Sequence, residues 1–280
     1  MTAPVISFIN MKGGVGKTTL CVGMGEYLAN FLDKKVLVID IDPQFNATQS
    51  LMGHYGRVDE YLEEIRPANK TIRKIFELPN SVMDDEKKVA PEDVIVTLSD
   101  NLDIILGDIN IIFDTNHEGK RIKMLKRFIH DNNLKESYDF IFIDSPPTIS
   151  LFTDTALLAS DYYLTPVRID HYSVLGANSL HSVIRNMKIH HEKDIKHVGF
   201  VYTNTDAVPT DKTAVLKETF ESTPFFASSY FFESRSTYVR DLMVGYQGNI
   251  PSCYSKSKAD IEKICEEFIS RMDFLEGEEL

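Results

Sequence analysis

The sequence predicts an α/β fold, with a mostly parallel, twisted sheet flanked by helices on both faces. Three observations carry that prediction. Val36–Asp40 and Tyr138–Asp144 are near-continuous apolar runs ending in an acid, the pattern of parallel strands buried on both faces. Segments of helical periodicity separate the strand-like runs, as crossover connections require. A glycine-rich loop, Gly13-Gly14-Val15-Gly16, stands directly between the first strand and a helix that opens with Lys17-Thr18.

In order, residues 4–10 read as the first strand and Thr18–Phe31 as the helix after the loop. Gly13, Gly14 and Gly16 let the backbone curl so that successive N–H groups point inward at phosphate oxygens, which a Cβ would obstruct. The helix start adds the positive end of its dipole. Lys17 is placed to reach β- and γ-phosphates and the Thr18 hydroxyl to ligate Mg²⁺. The candidate nucleotide-binding residues are therefore Gly13, Gly14, Val15, Gly16, Lys17, Thr18 and Thr19. A nucleoside triphosphate and Mg²⁺ are the expected ligands.

Val36–Asp40 is the second strand, followed by Ile41-Asp42-Pro43-Gln44-Phe45-Asn46-Ala47-Thr48. Ligand-facing residues of open α/β sheets lie at such strand ends, so Asp40 and Asp42 are candidates for chemistry, although both could simply cap the next helix. A helix at Thr71–Leu78, a solvated charged loop at Asp84–Lys88, a strand at Asn101–Leu106 and a helix at Lys120–Asn132 follow. Asp108, just past a strand end, is a candidate to approach the nucleotide. Tyr138–Asp144 then ends in the acid that reaches Mg²⁺ through water, about 125 residues after the loop, and Pro146-Pro147 stiffen its exit. Residues 151–159 read as helix, Asp161–Val167 as strand, Gly176–His190 as helix and Val198–Tyr202 as strand. Thr213–Phe220 is a further helix, Phe225–Phe232 a strand, Arg235 and Arg240 sit in the loop after it, and Lys258–Met272 is the last helix. With 280 residues and no low-complexity linker, the expectation is a single domain over 1–280, with 275–280 a frayed tail.

Composition narrows the classes. At 43% apolar the chain can bury a substantial core. Cys21, Cys253 and Cys265 form no Cys-x-x-Cys pair, which argues for a reducing cytosol and against a metal cluster. No run reaches the length of a transmembrane helix, so no membrane partner is expected. A formal charge of −12 speaks against a protein that coats DNA with its whole surface, but leaves room for a local basic patch. His181, His190, His191 and His197 read as solvated helix-end histidines rather than metal ligands.

Lys12-Gly13-Gly14-Val15-Gly16-Lys17-Thr18-Thr19, with Met11 where the strict P-loop has glycine, resembles the deviant Walker A motif of the ParA/MinD/nitrogenase-iron-protein superfamily of P-loop NTPases. Asp40-Ile41-Asp42-Pro43-Gln44-Phe45-Asn46-Ala47-Thr48 and Asp144-Ser145-Pro146-Pro147 resemble its two switches. Pro166–Gly176, with Asp170, resembles a further family segment. The resemblance implies that Lys12 crosses a dimer interface to the partner's phosphates and that Asp42 orients or activates the attacking water. It also implies that Asp40 contacts the metal's water shell, that Asp170 contacts the partner or its nucleotide, and that Asn204 contacts the adenine edge. Lys12, Lys17, Asp42 and Asp144 are then the catalytic candidates, and Thr18, Asp40 and Asp144 the metal candidates.

The acidic C-terminal helix does not suit a MinD-type membrane anchor, bridging cysteines are absent, and the 11 residues before Lys12 leave no room there for a helix-turn-helix. A small ParA/Soj-type partition ATPase is what remains similar over nearly the whole chain. That resemblance implies ATP as the nucleotide, an ATP-dependent homodimer binding nonspecific DNA, a ParB-like centromere-binding partner that stimulates slow hydrolysis, and a cytoplasmic, nucleoid-associated location. Arg185, Lys188, Arg235 and Arg240 are the candidate DNA-phosphate contacts. The alternative is an orphan ATPase that positions a protein complex without DNA. Glu233–Asp241 departs from the family's Pro-Arg-x-x-x-x-x-Glu-Ala pattern in the base-binding loop.

Overall fold

Strands apolar on both faces demand a helical layer on each side, and the computed structural model has that form. It describes residues 2–78, 88–114, 118–170, 172–206, 208, 210–224, 226–245 and 248–277. The strands are β1 (Val5–Phe8), β2 (Val36–Asp40), β3 (Ile95–Ser99), β4 (Leu102–Ile105), β5 (Phe140–Asp144), β6 (Tyr162–Val167), β7 (Lys196–Thr205) and β8 (Phe231–Thr237). They form one eight-stranded sheet in the order β3-β4-β2-β5-β1-β6-β7-β8. Every pairing is parallel except β3 with β4. The principal helices are α1 (Lys17–Phe31), α2 (Asn46–His54), α3 (Met124–Asp131), α4 (Leu151–Ala159), α5 (Ser173–His191), α6 (Asp211–Glu221) and α7 (Ser255–Gly277).

Alternation along the central strands divides the core. Ile6, Phe8, Val36, Val38, Phe140 and Phe142 face the layer of α1, α2 and α7, while Val5, Leu37, Ile39, Ile141 and Ile143 face that of α3, α4 and α5. Each such side chain, once buried, is worth roughly 1.5–3 kcal/mol. Phe142 meets Phe8 at 5.0 Å and Phe268 of α7 at 5.8 Å, so the last helix closes over the centre of the sheet. Gly23 marks where α1 is most tightly covered: a Cβ there would stand 2.6 Å from Pro251 Cγ, so only glycine fits.

Several elements differ from the sequence-based expectation. The strand expected at Phe225–Phe232 runs instead over Phe231–Thr237, because Phe226 turns inward and packs its ring on Phe200 and Phe220 at 5.2 Å. Arg235 therefore lies in β8 rather than in a loop, and Arg240 opens a short helix, Arg240–Val244. The helix expected at Lys120–Asn132 is two, Glu118–Arg121 and α3, broken where buried Ile122 and the Arg121 guanidinium, bonded to the Phe76 carbonyl at 2.6 Å, both turn to the core. Thr71–Leu78 is helical only over Ile72–Ile75. Of the charged run Asp84–Lys88, only Lys88 is among the described residues; it donates to the Asp131 carbonyl at 2.6 Å. At the C-terminus, α7 continues to Gly277 and buries Leu275, so 275–277 are not frayed, and 278–280 lie outside the described residues. No helix among the described residues is long and apolar enough to cross a membrane.

His197 of β7 is half-buried rather than a solvated helix-end histidine. Tyr163 stacks on its ring at 4.5 Å, Phe200 meets it edge-on at 4.5 Å, and its Nε2 pairs with the Thr165 hydroxyl at 3.2 Å. Burial holds its pKa down to about 3, against 6.5 unfolded. The fold thus keeps the imidazole neutral. Its contribution to stability is complete above pH 6.5 and is lost as pH falls towards 3, by at most about 1.4 kcal/mol per pH unit and less where the exposed ring edge is screened. His197→Asn should therefore cost less stability at pH 5 than at pH 7 in urea unfolding. An equal cost at both values would remove His197 from the acid response.

Candidate functional site

The loop after β1 takes the conformation that its glycines permit. Gly14 and Gly16 have φ of 71° and 80°, the left-handed region in which a side chain is strained, and Gly16 stands as the N-cap of α1. A Cβ on Gly13 or Gly14 would meet no protein atom within 4 Å, so the loop's inner wall is open. The loop is fixed from a distant part of the chain: the Thr203 hydroxyl at the end of β7 donates to the Val15 carbonyl at 2.5 Å. Asn204, at φ 51°, lies beside it with its Nδ2 at 3.5 Å from the Gly14 carbonyl.

Behind the loop, the ends of β2 and β5 bring carboxylates together. Asp144 ends β5 between Phe8 of β1 and Asp40 of β2, in register with both. The Thr18 hydroxyl donates to Asp144 Oδ2 at 2.7 Å, while Asp144 Oδ1 is buried and has no hydrogen-bond partner. Burial pushes the Asp144 pKa up to about 7, with Asp42 adding to it and Thr18 and Lys17 opposing. Asp40 is wholly buried and raised well above the carboxylate range, first by burial and then by Asp144. Its oxygens are taken up internally: Oδ2 accepts from the Thr48 N–H and hydroxyl, Oδ1 from the Asp42 N–H at 3.3 Å. Asp42 accepts from the Gln44 N–H at 2.9 Å. Its pKa rises through burial, against the pull of the Gln44 N–H and Lys17. Lys17 is buried; desolvation lowers its pKa, and the charges of Asp144 and Asp42 work the other way.

Of these groups Lys17 and Asp42 line a cleft of about 540 Å³, together with Gly13, Gly14, Gly16, Thr18, Thr19 and Pro147, while Asp144 and Asp40 are wholly buried outside its lining. Its size and a buried ammonium at its floor suit a nucleoside triphosphate. The orphaned Asp144 oxygen beside a threonine hydroxyl suits a hydrated dication, which would also relieve the crowding of carboxylates. Gln44, Asn46, Gln49 and Ser50 also line the cleft, as do Met243 and Asn249. Those six had carried no role in the sequence. The first four follow Asp42 closely in sequence and could have been suspected, whereas Met243 and Asn249 arrive through the tertiary fold alone.

Not every candidate is in the cleft. Lys12 turns away and pairs with Asp170 of its own chain, its Nζ 5.9 Å from the Tyr172 ring centre. Burial alone would raise the Asp170 pKa, but the Lys12 ammonium and the Tyr172 N–H bring it below the usual range. Asp108 is buried beside Arg66, at 3.6 Å, and is not among the cleft residues. The four candidate DNA contacts are exposed but divided among three elements: Arg185 and Lys188 lie on α5, Arg235 in β8, and Arg240 at the start of the short helix Arg240–Val244. Lys188 already pairs with Asp194 at 2.9 Å. Among the described residues no group of three or more His, Cys, Asp or Glu side chains is arranged to hold a metal.

Comparison with known proteins agrees with this geometry. A family model described as an AAA domain matches residues 3–197. The chain is 32% identical over 211 residues to the sporulation initiation inhibitor protein Soj of Bacillus subtilis (strain 168), covering 72% of this chain and 73% of that one. It is 27% identical over 201 residues to the chromosome-partitioning ATPase Soj of Thermus thermophilus, covering 72% and 69% of the two chains. Among solved structures, an ATP complex of a McdA variant from Cyanothece shares the fold, with a TM-score of 0.77 over 97% of each chain at 19% identity. On the family model and the 32% identity together, the chain belongs to the ParA/Soj family of P-loop ATPases.

Proposed function

We propose that this chain is a partition-type ATPase that binds ATP and Mg²⁺ in the cleft, dimerises around ATP, holds nonspecific DNA as the dimer, and lets go when a ParB-like partner stimulates hydrolysis. The observation that carries the nucleotide part is the 2.7 Å bond from Thr18 to Asp144, which joins the phosphate loop to the acid of β5 and leaves one Asp144 oxygen for a metal's water. Loop N–H groups and Lys17 hold the phosphates, Asn204 lies at the base end, and Asp42 orients the attacking water. Thr18 would ligate Mg²⁺ and Asp144 would hold its water shell, with Asp40 set behind Asp144. Bound Mg²⁺ supplies charge neutralisation at the phosphates.

Dimerisation rests on Lys12. It stands outside its own cleft, so it is available to a partner's phosphates once Asp170 releases it. Removal of the γ-phosphate would then separate the protomers, which makes hydrolysis a timer. The names of the relatives support the partition role, and the expected location is the cytoplasm, on the nucleoid.

Arg185, Lys188, Arg235 and Arg240 lie on three separate elements and Lys188 is already paired with Asp194 at 2.9 Å, which favours a second reading, an ATPase that positions a protein complex without DNA. A gel-shift titration with nonspecific duplex DNA decides between them. ATP, but not ADP, should produce a shift that weakens steeply with salt. No shift with an ATP dimer still present in solution would establish the second reading instead.

A further inference from the structure

The helix α2 starts without a cap of its own. Phe45, before its first residue, stands at φ 42° and makes no side-chain capping bond. The cap comes from another element. Asp40 Oδ2 accepts from the Thr48 N–H at 2.8 Å and from the Thr48 hydroxyl at 2.7 Å, the kind of backbone bond an N-cap side chain makes. The other oxygen of Asp40 accepts from the Asp42 N–H, so one buried side chain ties both ends of the segment that carries Asp42.

Thr48 has a second engagement. Its hydroxyl accepts from the Gly107 N–H at 2.7 Å, just beyond β4, and the Gly107 carbonyl accepts from the Tyr61 hydroxyl at 2.9 Å. There is no slack at this junction: a Cβ on Gly107 would stand 2.8 Å from Phe45 Cβ and 3.0 Å from Asp40 Cγ. Thr48 is wholly buried and lies outside the cleft, whereas Asn46, Gln49 and Ser50 of the same helix line it.

We propose that Thr48 is a positioning residue for hydrolysis. Its hydroxyl gives a hydrogen bond to Asp40 and takes one from Gly107, and so fixes the aim of Asp42 without touching the nucleotide. The inference rests on the ATPase reading above. A hydroxyl is the requirement, because one atom must donate and accept at once; serine meets it, and valine, of the same shape, does not.

The test compares wild type, Thr48→Ser and Thr48→Val in the full chain, with ATP binding measured by calorimetry and turnover in steady state. Thr48→Val should lower kcat about tenfold with the ATP Kd within about twofold, since a small misplacement of a reacting group costs rate before affinity. Thr48→Ser should stay near wild type in both. Unchanged kcat in Thr48→Val, or loss of Kd and kcat together, would overturn the inference. If Thr48→Val does not fold, Tyr61→Phe loosens the same Gly107 peptide from its other side and should lower kcat several-fold at unchanged Kd; a wild-type rate there overturns it equally. Failure of the wild-type chain to bind ATP at all would instead overturn the ATPase reading, and this inference with it.

Discussion

Lys17→Ala should abolish ATP binding, with Kd weakened at least about 100-fold, or about 2.7 kcal/mol. The ammonium is buried at the cleft floor, where desolvation already lowers its pKa, so its attraction for a phosphate is little screened. The loop N–H groups remain in the variant, but they supply partial charges only. Unfolding is not the expected cause. Burying a cation carries its own penalty, so its removal relieves a cost while leaving Asp144 and Asp42 without a counter-charge, and the two effects oppose one another. Thermal unfolding of the ligand-free variant should accordingly lie close to wild type, and the increase in Tm that ATP gives wild type should vanish. ATP affinity retained by Lys17→Ala would sink the assignment of this loop.

Asp42→Ala should leave ATP affinity within a few-fold, reduce turnover by about 10²–10⁴ and accumulate the ATP-bound dimer. Its carboxylate lines the cleft, and burial raises its pKa, which makes it a better base than an exposed aspartate. The Gln44 N–H fixes one oxygen, so the group is oriented as well as basic. None of these features grips the phosphates, hence rate and affinity should separate. Sedimentation with ATP and Mg²⁺ would show the dimer persisting in the variant where wild type decays. Turnover at the wild-type rate would exclude Asp42 from the mechanism.

The parts of the molecule that were legible in the sequence are those whose signal is local. Strands β2 and β5 are apolar at every position before their terminal acid. The phosphate loop needs glycine at particular places for backbone reasons, and Gly14 and Gly16 fill them. By contrast, β3, half-exposed and antiparallel, is not among the strands expected from the sequence. The aromatic run before β8 misplaced that strand, since high strand propensity there serves ring packing around Phe200. Lys12 was read with a role between subunits, while its partner within the chain, Asp170, lies 158 positions away and is found only by folding. The same holds for Met243 and Asn249.

The bond from Thr203 to Val15 spans 188 positions, and it starts beyond residue 197, where the match to the family model stops. Phe268 of α7 likewise covers Phe140 and Phe142 from the far end of the chain. The region beyond the family model's match is therefore also a splint for the phosphate loop and the central strands. The splint depends on where β7 ends and where α7 lies, since Thr203 and Phe268 make its contacts. In a lineage of such proteins, substitutions should accumulate in the C-terminal third while insertions and deletions there stay rare, because a shift in length would move the splint and a change of side chain mostly would not.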